Sequence, residues 1–238
     1  MGHNSYFEFK QFTVKQDNAA MKVGTDGVLL GAWTDVENAK QILDIGTGTG
    51  VVALMLAQRS QANIVAIDCE SSACTDARLN VLNSPWSQRI AIQEICLQEF
   101  AATATQQFNC IVCNPPFFSN AVKPNDVKRS MARHNHSLPF DELLKSAALL
   151  LTPNGHFTVV LPANAENSFR MLASNYRLFP SRITRIKPKP SASISRVLLE
   201  FRNEATLDFE AELTIETEKH HEYQPETIAL MRDFYLSL

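Results

Sequence analysis

The 238-residue sequence predicts an α/β fold organised as a doubly wound, mostly parallel sheet. Three observations carry that prediction. Apolar β-branched runs alternate with runs of helical spacing, a glycine-rich turn follows the first central run, and the fourth run halts at two prolines, which cannot continue a ladder. The opening piece, residues 1–40, stands apart. Its FEFKQFTV alternates like an edge strand, and VGTDGVLLGAW then turns into a short helix, giving an N-terminal extension that packs on a main domain of residues 41–238. Within that domain 41–45 is a strand ending at glycines, and 51–59, rich in Ala, Leu and Met, is its helix. A second strand at 63–67 stops at Asp68, and a helix at 71–83 is closed by Ser84-Pro85. Strands follow at 89–95 and 108–113, then a helix at 138–151 with Asp141 and Glu142 in its first turn and Pro153-Asn154-Gly155 beyond it. A strand at 156–161, a helix at 164–174 and later strands around 183, 197–201 and 213–215 complete the chain. The stretch 119–136 lacks apolar periodicity and reads as a mobile loop.

Composition bounds the class. With 45% hydrophobic and 20% charged residues the chain is ordinary for a globular domain, and 8 Gly with 11 Pro in no biased tract exclude a collagenous or disordered one. Its apolar runs fall short of the roughly 18 residues a membrane helix needs, and MGHNSYFEFK lacks the apolar core of a secretory signal. A cytoplasmic location is expected, as five irregularly spaced Cys also suggest. The net charge of −3 discourages a nucleic-acid partner on its face, but it conceals a gradient. Residues 1–118 balance to −4, residues 119–202 to +8 and residues 203–238 to −7.

The first chemical motif is Asp44-Ile45-Gly46-Thr47-Gly48-Thr49-Gly50, at the turn where a doubly wound sheet binds its ligand. The glycines run G-x-G-x-G with an acid two residues ahead, whereas a dinucleotide fingerprint runs G-x-G-x-x-G. Asp68, ending the second strand, is placed to accept both ribose hydroxyls of an adenosine. The plain alternative is a glycine turn without a ligand. The second motif, Asn114-Pro115-Pro116-Phe117, follows the fourth strand and faces the same crevice.

The glycine loop resembles that of class I S-adenosylmethionine-dependent methyltransferases, and the tetrapeptide resembles the (Asn/Asp/Ser)-Pro-Pro-(Tyr/Phe/Trp) of amino-methyltransferases. Together they imply a Rossmann-like, seven-stranded sheet, S-adenosylmethionine as cofactor, and a planar nitrogen as methyl acceptor. Such an amine is a poor nucleophile because its lone pair is delocalised; two acceptors aimed at its hydrogens favour the pyramidal, developing charge of the transition state. The Asn114 side-chain oxygen and the Pro115 carbonyl suit that task, proline rigidity fixes them, and Phe117 offers a face for an extruded base.

The order FEFKQFTVKQD, MKVGTDGVLLGAW, ILDIGTGTG, NPPFF, PKPSASISRVLLEF and DFYL is similar, nearly end to end, to the bacterial tRNA(Val) adenine-N(6) methyltransferases. The resemblance implies methylation of the adenosine just 3′ of the anticodon, a tRNA partner, and a lone chain working as a monomer. It also implies that MKVGTDGVLLGAW closes over the methionine end of the cofactor, making Lys22 and Asp26 candidates there. Two departures stand out. Where many class I enzymes carry an acid to pair with the cofactor adenine, this chain has Cys96-Leu97, so a backbone contact from Leu97 is expected; and Phe, not Tyr, follows the prolines.

Other features take simpler readings. Cys110 and Cys113 have redox-pair spacing but lie on one strand, pointing to opposite faces, and read as buried thiols. His134, His136, His220 and His221 read as surface histidines without partner carboxylates, and no metal is expected; Trp33 and Trp86 read as packing residues. The candidate RNA contacts are Lys123, Lys128, Arg129 and Arg133, directly after NPPFF, with Lys187 and Lys189 further on. The residues alone leave alternatives: an rRNA adenine or guanine amine, a protein glutamine amide, a nicotinamide oxidoreductase, or a non-catalytic RNA-binding module.

Overall fold

A computed structural model describes residues 5–19, 21–116, 138–205 and 209–237. Two short strands, β1 (Tyr6–Glu8) and β2 (Thr13–Lys15), precede helix α1 (Thr25–Trp33). Then come β3 (Gln41–Ile45), α2 (Val51–Arg59), β4 (Asn63–Asp68), α3 (Ser71–Leu82), β5 (Ile90–Glu94), α4 (Leu97–Thr103) and β6 (Phe108–Cys113). The remaining elements are α5 (Phe140–Leu150), β7 (Leu151–Pro162), a 3-10 turn (Ala163–Ala165), α6 (Glu166–Ser174), β8 (Phe179–Lys187), β9 (Arg196–Arg202), β10 (Phe209–Thr214) and α7 (Pro225–Met231).

The central sheet has the order β10-β8-β9-β7-β6-β3-β4-β5. All neighbouring pairs are parallel except those of β9, which runs antiparallel to β7 and β8. The sheet has eight strands where the resemblance implied seven; the strand read at 213–215 is observed as Phe209–Thr214 and pairs along its whole length with β8. Successive residues of the central strands serve opposite cores. On β3, Ile42 joins Val28, Leu54 and Leu198 on one face, while Leu43 joins Leu144, Phe157 and Phe201 on the other. Burying a Leu or Phe side chain contributes roughly 1.5–3 kcal/mol, so these two layers hold the sheet's carboxyl edge in a fixed register. Cys110 and Cys113 are both buried, one in each layer.

The opening strand is not an edge of this sheet. FEFKQFTV folds on itself as the antiparallel hairpin β1–β2, closed by the Phe9 N–H donating to the Phe12 carbonyl at 2.9 Å. Its inward residues Phe9, Phe12 and Val14 are buried in the same core as α1 and α2, and Phe12 meets Trp86 edge-on at 5.7 Å. Trp33 is buried too, its indole N–H donating to Thr184 Oγ1 at 3.1 Å. A second difference concerns β7, which begins at Leu151 directly after α5 and takes in Pro153-Asn154-Gly155; a register shift between Phe108 and Cys110 on β6 absorbs the irregularity. Helices α4 and α7 have no counterpart in the sequence reading. Both span seven residues, too short for a clear helical period. The loop expected at 119–136 lies outside the described residues.

Candidate active site

The site lies at the carboxyl edge of β3, β4 and β6. Ile45 pairs with Ile67 on one side and with Cys113 on the other, so the next row places Asp68, Gly46 and Asn114 side by side on adjacent strands. With strands about 4.8 Å apart, the acid at the end of β4 and the carboxamide after β6 flank the glycine loop within roughly 10 Å.

Gly46, Gly48 and Gly50 all have positive φ, at 69°, 56° and 83°, a region side-chain-bearing residues rarely adopt. A Cβ at Gly46 or Gly48 would meet no heavy atom within 4 Å, so the loop's outer surface is open for a ligand to lie against the backbone. The loop is braced from beneath. Gly46 and Thr47 donate backbone N–H groups to the Ile67 carbonyl at 2.9 and 3.0 Å, and Asn80 Nδ2 donates to the Thr49 carbonyl at 2.9 Å.

Asp44 is buried beneath the loop and accepts the Thr47 hydroxyl at 2.7 Å. Burial raises its pKa to about 7, against the lowering effect of hydrogen bonds from Thr47 and the Ala53 backbone. A buried carboxyl poised near neutrality favours a cationic neighbour. Asp68 accepts backbone N–H groups from Gly48 and Glu70, each at 2.9 Å, and burial again pushes its pKa upward. Leu97 is the first residue of α4, where helix N–H groups lack intrahelical partners, and its side chain is buried. Cys96 precedes it and is exposed, as is Cys69 just after Asp68; burial first, then the Cys96 thiol, push the Cys69 thiol up to about 12. The two thiols therefore stand together just beyond the ends of β4 and β5.

Asn114 is half-buried, Pro115 buried and Pro116 exposed, while Phe117 lies outside the described residues. Asp26 is held by Arg196, whose Nε donates to Asp26 Oδ2 at 2.8 Å, and Lys22 is exposed. Of the basic candidates, Lys123, Lys128, Arg129 and Arg133 lie outside the described residues. Lys187 is paired with Glu212 at 2.8 Å, and Lys189 donates to the Glu218 carbonyl at 3.3 Å. Sequence reasoning missed Thr47, Asn80 and Arg196. Thr47 stood three residues from Asp44 and was findable; Arg196 meets a residue 170 positions away, and no local pattern marks it. His220 does have a carboxylate partner, contrary to expectation: a turn brings Glu216 to 3.1 Å from its Nδ1, and His221 completes a group whose ligand atoms lie within 4.8 Å of one another. His134 and His136 lie outside the described residues.

An open glycine loop with an acid beneath it, a second acid on the next strand and an Asn-Pro-Pro one strand over, at the carboxyl edge of a doubly wound sheet, define a methyltransferase of the class I type. The comparisons agree with that class and narrow it. The methyltransferase small domain model matches residues 20–177. The chain is 46% identical over 237 residues to a tRNA1(Val) (adenine(37)-N6)-methyltransferase of Bacteroides fragilis, covering 98% of each chain. It is 48% identical to the protein of that name from Phocaeicola vulgatus, covering 99% of each. Among solved structures, a predicted O-methyltransferase from Agrobacterium tumefaciens superposes with a TM-score of 0.69 at 18% identity, over 88% of this chain and 96% of that one. A T. thermophilus 16S rRNA methyltransferase in complex with AdoMet and guanosine gives 0.56 at 18% identity, over 84% of this chain and 50% of that one; both show the fold. The chain belongs to the tRNA1(Val) (adenine(37)-N6)-methyltransferase family.

Proposed function

We infer that this protein transfers a methyl group from S-adenosylmethionine to the exocyclic N6 of adenosine 37 in tRNA(Val), as its relatives' names describe. The observation that carries the reading is the row Asp68, Gly46, Asn114, which brings the Asn114 carboxamide next to an open glycine loop. The residues fit the cofactor. Asp44 answers its cationic methionine end, Asp68 its ribose hydroxyls, the open surface over Gly46 and Gly48 its body, and the Leu97 N–H its adenine. Bound there, the cofactor supplies an electrophilic methyl group. Lys22, on the same N-terminal segment as Asp26, adds a donor near the methionine end.

The chain's own contribution is orientation and charge stabilisation. Asn114 Oδ1 and the Pro115 carbonyl accept the two amine hydrogens, pulling the acceptor nitrogen out of conjugation so that its lone pair faces the methyl group. Phe117 stacks on the extruded base, and water takes the proton that methylation makes acidic. Lys123, Lys128, Arg129 and Arg133 set the register of the RNA beside the pocket. The protein acts as a cytoplasmic monomer needing no metal. Labelled methyl transfer to unmodified total tRNA, followed by digestion and mass spectrometry, tests the reading. A methyl on N6 of adenosine 37 supports it; transfer only to rRNA or protein, or none, overturns it.

A further inference from the structure

The chain leading into α1, and the first turn of α1 itself, are each tied to neighbouring elements. On one side the Lys15 N–H donates to Asn80 Oδ1 at 2.7 Å, and the Asn18 and Ala19 N–H groups donate to Asp76 Oδ2 at 2.9 and 2.8 Å. Both partners lie on α3, whose Asn80 also holds the glycine loop. On the other side stands the Arg196–Asp26 pair. Arg196 is opposite Pro162 in the β9–β7 ladder, at the same carboxyl edge, and its Nη1 donates to the Ser195 carbonyl at 3.0 Å, so the guanidinium plane is held by two partners.

Next to Asp26 is Gly27. A Cβ there would stand 3.6 Å from Asn114 Nδ2, 3.7 Å from Val51 Cγ1 and 3.8 Å from Val52 Cγ2. The first turn of α1 is thus seated between the Asn-Pro-Pro motif and the start of α2, with the nitrogen edge of the Asn114 carboxamide toward it. Only the oxygen edge can accept an amine hydrogen. The seat of this turn therefore limits where the carboxamide can move.

We propose that Arg196 is a positioning residue for methyl transfer: through Asp26 it holds the first turn of α1 beside Asn114 and so keeps the carboxamide in place for the acceptor amine. The proposal rests on the methyltransferase reading above. Arg196 and Asp26 are 37% and 29% exposed, and pairs so exposed add little to stability, so its loss is read in the reaction. Lysine lacks the planar fork that engages Asp26 and Ser195 together, so Arg196→Lys restores only part of the function.

The test uses the full-length enzyme with unmodified tRNA and compares wild type with Arg196→Met, Asp26→Asn and the double variant. Measured for each are kcat, the tRNA KM at several salt concentrations, cofactor affinity by calorimetry, and Tm. Each single variant is expected to lower kcat about tenfold, and the double variant about tenfold rather than a hundredfold, because both act through one contact. The tRNA KM and its salt dependence stay as in wild type. The proposal is overturned if Asp26→Asn keeps wild-type kcat, if the two losses multiply, or if only Tm falls. It is equally overturned if the Arg196→Met loss lies in tRNA KM with a shallower salt slope, since Arg196 then holds a phosphate. A wild-type enzyme that methylates no tRNA removes the reading beneath the proposal and the proposal with it.

Discussion

The two flanks of the sheet handle charge in opposite ways. At the glycine-loop end, Asp44 and Asp68 have no cationic side-chain partner within the described residues and are satisfied by backbone and hydroxyl donors, both with raised pKa. At the β8–β10 flank almost every charge meets another. Arg185 bridges Glu166 at 2.6 Å and Glu210 at 2.7 Å, Lys187 meets Glu212, and Arg182 pairs with Glu200 at 3.2 Å while stacking 3.7 Å over Trp33. The basic block and the acidic tail thus lie side by side, because β10 runs along β8. The carboxyls at the glycine loop are left for a ligand to complete in the proposed reading, whereas those on this flank are already matched within the fold.

Substitutions can break that contrast, and the largest effect belongs to Asn114. Asn114→Ala removes the carboxamide proposed as one of two acceptors for the developing charge and is expected to lower kcat about 10²–10³-fold, with cofactor affinity by calorimetry unchanged. Next is Asp44. Because burial raises its pKa to about 7, the folded cofactor-free protein keeps a proton that the unfolded chain has released between the ordinary carboxylate range and 7. That protein therefore loses stability as pH rises through this window, while a cationic ligand favours the ionised form. Cofactor affinity should fall about tenfold per pH unit below 7 and level off above it. Asp44→Asn should bind more weakly with a flat pH profile; a flat profile in wild type would detach Asp44 from the cofactor.

The same contrast explains what the sequence made legible. The glycine loop, Asp68 and Asn-Pro-Pro are runs of residues adjacent in the chain, and a doubly wound sheet brings all strand ends to one edge, so their convergence followed from order alone. The hairpin β1–β2 was misread because alternation marks a strand without naming its partner. The ion pairs of the flank were not legible for a related reason: Arg185 and Glu210 are 25 residues apart, and a charge count along the chain cannot see a pair formed across strands. Arg196 with Asp26, and Glu216 with the His220 imidazole, became visible only in three dimensions.

On the flank, effects should appear in stability. Arg185→Met leaves Glu166, only 7% exposed, with the weaker Arg170 contact at 3.4 Å, and a Tm lowered by about 2–4 °C is expected with kcat per folded enzyme intact. The smallest effect falls to Lys187. Its pair with Glu212 is partly exposed, at 29% and 54%, so Lys187→Ala should move Tm by no more than about 1 °C. What makes the variant informative is RNA. A lysine held by Glu212 releases no counterion on binding, so the salt dependence of tRNA affinity should match wild type. A slope shallower by about one would mean that the ammonium leaves Glu212 for a phosphate. In that event the flank's paired charges serve as a reserve for RNA, and pairing in the free protein would no longer separate structural charge from functional charge.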